Sequence, residues 1–118
     1  VTRIYHLCPR ADWDAALALC RYEGSDAARA DGFLHFSTAA QVRESARRHL
    51  AGIADLVMLT VAADGLPLKW EPAQSRGEDF PHLYGALPLA AVLRVDDVPL
   101  VDGGHVFPDW LETPDSGA

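Results

Sequence analysis

The sequence predicts an α+β domain, and three observations carry that prediction. In the N-terminal half, two β-type runs each lead into a helical pattern: Arg3 to Leu7 before Trp13, Ala16, Leu17 and Cys20, and Phe33 to Ser37 before Thr38 to Leu50. The run Asp55 to Ala62 is apolar at odd and even positions alike, as a strand covered on both faces must be. From Leu66 onward the chain divides into short β-type runs separated by Gly and Pro. A length of 118 residues suits one domain, expected over 1–112, with 113–118 as a flexible tail that has no apolar content.

Composition narrows the class. With 49% hydrophobic and 23% charged residues the chain has the balance of a soluble globular protein rather than a disordered one. A net charge of −7 argues against generic nucleic-acid binding, which runs on excess Lys and Arg. It leaves room for a small anionic ligand, because local positive groups can outweigh the global balance. No apolar run approaches the length of a membrane span and no charged-then-apolar leader opens the chain. Cys8 and Cys20 have neither disulfide-framework nor metal spacing and are expected as small buried residues of a reducing, cytoplasmic compartment.

Taken in order, Pro9 suits the first turn of the first helix, and Asp12 and Asp14 favour its positive end. That helix fades at Arg21–Gly24, and 25–31 is a polar connection. Gly32 opens the second strand, Phe33 to Ser37. Thr38-x-x-Gln41 has the spacing of a capping box, so the second helix is expected from Thr38 to about Leu50. Its inward positions would be Val42, Ala46, His49 or Leu50, and Ile53 beyond it. Arg43, Arg47 and Arg48 lie off that stripe as a cationic face. Asp64-Gly65 marks a turn, Leu66 to Glu71 a short strand, and 72–79 an exposed loop. Leu89 to Val95 is a further strand, which Ala90-Ala91 weakens. Asp96 to Val101 reads as an edge, since Pro99 cannot donate to a ladder. Phe107 and Trp110 belong to a packed terminal arm.

Chemistry concentrates in few places. His6, His35 and His82 each sit in an ordered β-type or aromatic context, whereas His49 and His105 read as surface residues. Three histidines with Glu71 could make a zinc site, and a metal-dependent hydrolase on His6, His35 and His82 is one reading, although no pair has a short metal-binding spacing. Glu71 ends a strand, and Glu78-Asp79 precede the Phe80-Pro81-His82 turn, so a carboxylate could orient a histidine or exchange protons with it. Ser37 lacks the turn that exposes a nucleophile. Ser37 and Thr38 at a helix N-terminus suit an anion, and the Arg76 guanidinium suits a phosphate.

Asp-Gly-Phe-Leu-His-Phe-Ser at 31–37, Leu-Lys-Trp-Glu at 68–71 and Phe-Pro-His-Leu-Tyr-Gly at 80–85 together resemble the small bacterial proteins of domain-of-unknown-function family 952. The likeness runs from Ile4 to about Val95. It implies an ADP-ribosyltransferase-like fold: a bent, mostly antiparallel split sheet with two main helices in the N-terminal half, gripping NAD in a cleft. By this resemblance Tyr5-His6 and the segment His35-Phe36-Ser37 line the nicotinamide and ribose side. Glu71, or else Glu78, is the carboxylate facing the ribose at the breaking bond. The implied catalytic set is Glu71, His35 and His6, with Ser37, Thr38, Arg76, His82 and Tyr84 as ligand-binding residues. The chain departs from the standard pattern in having no Tyr at the second motif. The function expected is therefore binding of NAD or a related nucleotide, with ADP-ribosyl transfer or NAD glycohydrolase chemistry. The alternative is a non-catalytic ligand-binding or interaction module on the same fold.

Overall fold

The protein is described from a computed structural model that covers residues 2–24, 30–72 and 78–111. Strand β1 (Arg3–Pro9) runs straight into helix α1 (Arg10–Leu19). Pro9 is its N-cap at φ −60°, the angle its ring imposes, one position earlier than the first-turn site expected. The helix stops at Cys20, which turns left-handed (φ 61°) and donates its N–H to the Ala16 carbonyl. That turn lifts Cys20 off the stripe of Trp13 and Ala16. Cys20 is exposed, and only Cys8 is buried as expected.

Strand β2 (Arg21–Tyr22) follows, and a helical turn at Ala30–Asp31 precedes β3 (Leu34–His35). Strand β3 is shorter than the expected Phe33 to Ser37, because the chain leaves one partner for another. Phe36 N–H bonds the Pro81 carbonyl at 2.9 Å, and Ser37 then exchanges two 2.8 Å backbone bonds with Tyr5. Helix α2 (Val42–His49) begins later than Thr38, since Thr38 to Gln41 form a turn whose Gln41 and Val42 N–H groups both reach the Thr38 carbonyl. Gln41, not Thr38, is the N-cap. Half of the anticipated capping box survives, with Gln41 Oε1 accepting the Thr38 N–H at 3.1 Å. Of the expected inward positions Val42 and Ala46 are buried, while His49 and Ile53 are exposed.

Strand β4 (Leu56–Ala62) lies between β1 and β8 (Val92–Val98), antiparallel to both. Its two faces explain its unbroken apolar sequence. Val57, Leu59 and Val61 join Ile4, Cys8, Trp13, Tyr22, Leu34 and Leu83 in one core. Leu56 and Met58 join Tyr5, Val42, Val98 and Leu111 in a second, beneath α2. The other main sheet is β3–β6–β5, also antiparallel, built from β5 (Leu68–Pro72) and β6 (Asp79–Leu83). Two ribbons complete the described part: β2 with β7 (Leu87–Pro88), and β9 (Leu100–Val101) with β10 (Gly104–His105). The expected strand from Leu89 opens instead as a 3₁₀ turn, Leu89–Ala91, before β8, in keeping with the weak β tendency of Ala90-Ala91. Every strand pairing described is antiparallel, and the two main sheets are linked where Tyr5 meets Ser37. No helix among the described residues is long and apolar enough to cross a membrane.

Candidate functional site

The β3–β6–β5 sheet has two unlike faces. Register places His35 opposite His82, and His82 opposite Lys69. Alternation then puts His35, His82, Lys69 and Glu71 on one face, while Leu34, Leu83 and Leu68 point into the core. A polar groove therefore forms on the back of an apolar sheet, with its residues drawn from three strands.

Glu71 is the hub of that groove. Its Oε1 accepts from the Tyr84 hydroxyl at 2.7 Å and from His82 Nδ1 at 2.9 Å. The Tyr84 bond first, and the His82 bond second, hold the Glu71 carboxyl below the usual carboxylate range. The same contact raises the Tyr84 hydroxyl above its ordinary value. Lys69 Nζ lies over the Tyr84 ring, 5.0 Å from its centroid.

His82 is the buried member, with its side chain 5% exposed. With Nδ1 donating to the carboxylate, Nε2 is the ring nitrogen left over. That nitrogen is buried and meets no partner. Leaving such a group unpaired costs about 1–3 kcal/mol, so it needs a reason. His35, in contrast, has a side chain 54% exposed and donates Nε2–H to Asp31 at 2.9 Å. The two imidazoles meet edge to face at 4.9 Å. Phe33 packs against both and against Tyr84, at 4.6, 4.3 and 5.0 Å between centroids.

His6 stands elsewhere. It is buried, donates Nδ1–H to the His35 carbonyl at 2.5 Å, and accepts the Tyr22 hydroxyl at Nε2 at 2.7 Å. Burial pushes its pKa down to about 4, so the ring is neutral at physiological pH. Burial pushes the adjacent Cys8 thiol up to about 12, against the lowering effect of its Tyr22 contact, and makes it a poor nucleophile. Both His6 nitrogens are occupied, so the three histidines do not offer a common set of lone pairs. Among the described residues no group of three His, Cys, Asp or Glu is placed to hold a metal ion.

Of the residues singled out from sequence, Glu71, His35, His82 and Tyr84 come together. His6 touches this group through the His35 backbone only. Ser37 is buried with its hydroxyl on Ser45 at 2.9 Å, and the Thr38 N–H is taken by Gln41. Glu78 lies near Gln41 Nε2, at 3.4 Å, rather than beside a histidine. Arg76 falls outside the described residues. Phe33, Lys69 and Asp31 were not singled out, although they stand two or four residues from His35 and Glu71. Period-two spacing along each strand was the signal that could have found Phe33 and Lys69.

Comparison with known proteins places the chain. A family model described as a protein of unknown function, DUF952, matches residues 7–95. The chain belongs to the DUF952 family. The crystal structure of CC0527 from Caulobacter crescentus is 44% identical, with a TM-score of 0.85 over 93% of this chain and 98% of that one. A crystal structure of a double mutant of CC0527 superposes equally well. The solution structure of CC0527 gives a TM-score of 0.77 over 89% and 91%. No curated protein matches the sequence. The α+β fold and its antiparallel sheets are thus shared with CC0527, and the groove residues lie inside the matched family segment.

Proposed function

We propose that this DUF952 chain binds NAD or a related nucleotide in the groove of His35, Glu71, His82 and Tyr84. The arrangement is ADP-ribosyltransferase-like, with Glu71 facing the ribose. The observation that carries the reading is the Glu71 carboxylate itself, ionised and fixed by two donors on Oε1, at the open side of a groove with an aromatic wall. Two antiparallel sheets joined at Tyr5 and Ser37 also fit a split sheet of that kind.

In the reaction, the bond between nicotinamide and ribose C1′ breaks with its electron pair, so nicotinamide leaves neutral and positive charge develops on the sugar. A preorganised carboxylate stabilises that charge. Water, or an acceptor hydroxyl, then adds at C1′ and gives up its proton to a nearby base. His82 acts by holding the Glu71 carboxylate through Nδ1, while the exposed His35 ring is the imidazole a ligand can reach. Phe33 and Tyr84 offer faces for a flat ring, and Lys69 supplies positive charge close by. His6 acts as a positioning residue, holding the His35 backbone.

The test is nicotinamide release from NAD. Glu71→Gln keeps the shape and removes the charge, and should cut release by roughly a hundredfold or more. A comparable loss from Glu78→Gln with Glu71→Gln near wild type would move the role to Glu78. NAD binding without any release would favour the non-catalytic module.

A further inference from the structure

Strand β8 (Val92–Val98) ends the β1–β4–β8 sheet, and no strand among the described residues pairs with its outer side. The opposite end differs, because Tyr5 of β1 is joined to Ser37. A free edge of seven residues leaves alternate N–H and C=O groups without a ladder, a ready template for another strand. Leu93 and Val95 on it are apolar and exposed, at 49% and 38%. The irregular step in its ladder to β4 comes at Thr60/Val61, so Arg94 to Val98 run in regular register. Strand β8 contributes no residue to the histidine groove, and the surface is independent of the nucleotide reading.

Charge decides what fits this edge. Edges that stay single are commonly guarded by like charges, often Lys, or by Pro, which repel or misfit a second strand. Here Val95 is flanked by opposite charges, Arg94 before it and Asp96 after it. Reversing the strand about Val95 therefore sets Arg94 against Asp96, Val92 against Val98, and Val95 against its own copy. Both charged side chains lie on one face, where Arg94 Nε and Nη2 donate to Asp96 at 2.8 and 2.9 Å. The same guanidinium lies 4.5 Å from the Trp110 ring centre, so it is held in place before any second strand arrives. Leu93 against Asp97 is the weaker match, and Arg10 already bonds the Asp97 carboxylate.

We propose that β8 is the interface for a second copy of this chain. Two β8 strands pair antiparallel about a two-fold axis at Val95, joining two three-stranded sheets into one continuous sheet. The axis generates two Arg94–Asp96 cross-strand pairs, and opposite charges so placed favour the pairing while like charges oppose it.

Sedimentation velocity on the full chain, from micromolar to millimolar protein, reads the association. Wild type should form a dimer and no larger species, as a closed two-fold contact requires. Arg94→Asp and Asp96→Lys should each weaken it by about tenfold or more, because each sets like charges against one another. Mixed in equal amounts the two variants should associate again, since each then faces the opposite charge. Val95→Lys places like charges on the axis and should weaken the dimer with the Arg94–Asp96 pair intact. Amide NMR spectra check that each variant is folded. In wild type the 93–97 amides should shift with protein concentration while those of β3 and β6 stay in place. A wild type that stays monomeric at millimolar concentration, a dimer whose 93–97 amides do not shift, association unchanged in Val95→Lys, or folded charge variants that do not associate when mixed would each overturn the proposal.

Discussion

Two strand histidines have opposite fates here, and their partners decide which. His6 is enclosed, with both nitrogens engaged and its pKa near 4. Its unfolded-state value is near 6.5, so between those values the unfolded chain binds more protons than the folded one. Stability should therefore fall as pH drops from about 6.5 towards 4, by up to about 3 kcal/mol from this residue alone. Urea midpoints across that range should slope less in His6→Gln than in wild type, and the wild-type His6 ring should show no NMR titration above about pH 5. Equal slopes together with a ring titrating near 6.5 would contradict its burial as a neutral group. His35 faces the other way, half exposed and tied to Asp31 by a surface pair worth no more than about 1 kcal/mol. His35→Ala should accordingly leave thermal stability within about 1 kcal/mol of wild type while weakening nucleotide binding. A large stability loss with affinity unchanged would make His35 structural. Sequence separated neither case, because a strand's alternation tells which residues share a face and not which face meets the core.

At the scale of elements, strand β4 was legible because apolar residues on both parities require cover on both sides, and its two faces serve two cores. Helix ends were less legible. Apolar period placed Cys20 on the stripe of α1, yet the helix stops one residue earlier and Cys20 adopts φ 61°. A side chain in that conformation clashes with its own backbone, and glycine does not. Cys20→Gly should therefore stabilise the protein by about 0.5–1 kcal/mol, since the exposed thiol has no packing to lose. A lowered Tm would show that the C-cap does not tolerate the added freedom of the unfolded chain. The start of α2 shifted for a different reason. Thr38 and Gln41 had the right spacing, but Gln41 is needed to tie the helix to β6, donating to the Asp79 carbonyl at 3.0 Å. A long-range bond thus moved a boundary that local rules had set at Thr38.

Across the whole molecule, the groove depends on pairings between distant segments. His35 and His82 are directly opposed, Glu71 arrives from a third strand, and Tyr84 closes the arrangement from beyond β6. Their three motifs could be read in the sequence as separate stretches. Convergence could not, because register between strands of such separation is settled only by packing of Leu34, Leu68 and Leu83 on the core side. The buried Nε2 of His82 was equally invisible, since it follows from which nitrogen Glu71 takes. The two facing imidazoles give the most direct test of the groove as a nucleotide site. Long-range proton–nitrogen NMR spectra of the histidine rings can be recorded as NAD is added to millimolar concentration. In a nucleotide site the exposed His35 ring shifts saturably and His82, edge to face with it, shifts too, while His105, which belongs to a different hairpin, stays in place. Unmoved His82 and His35 resonances at millimolar NAD would contradict that assignment.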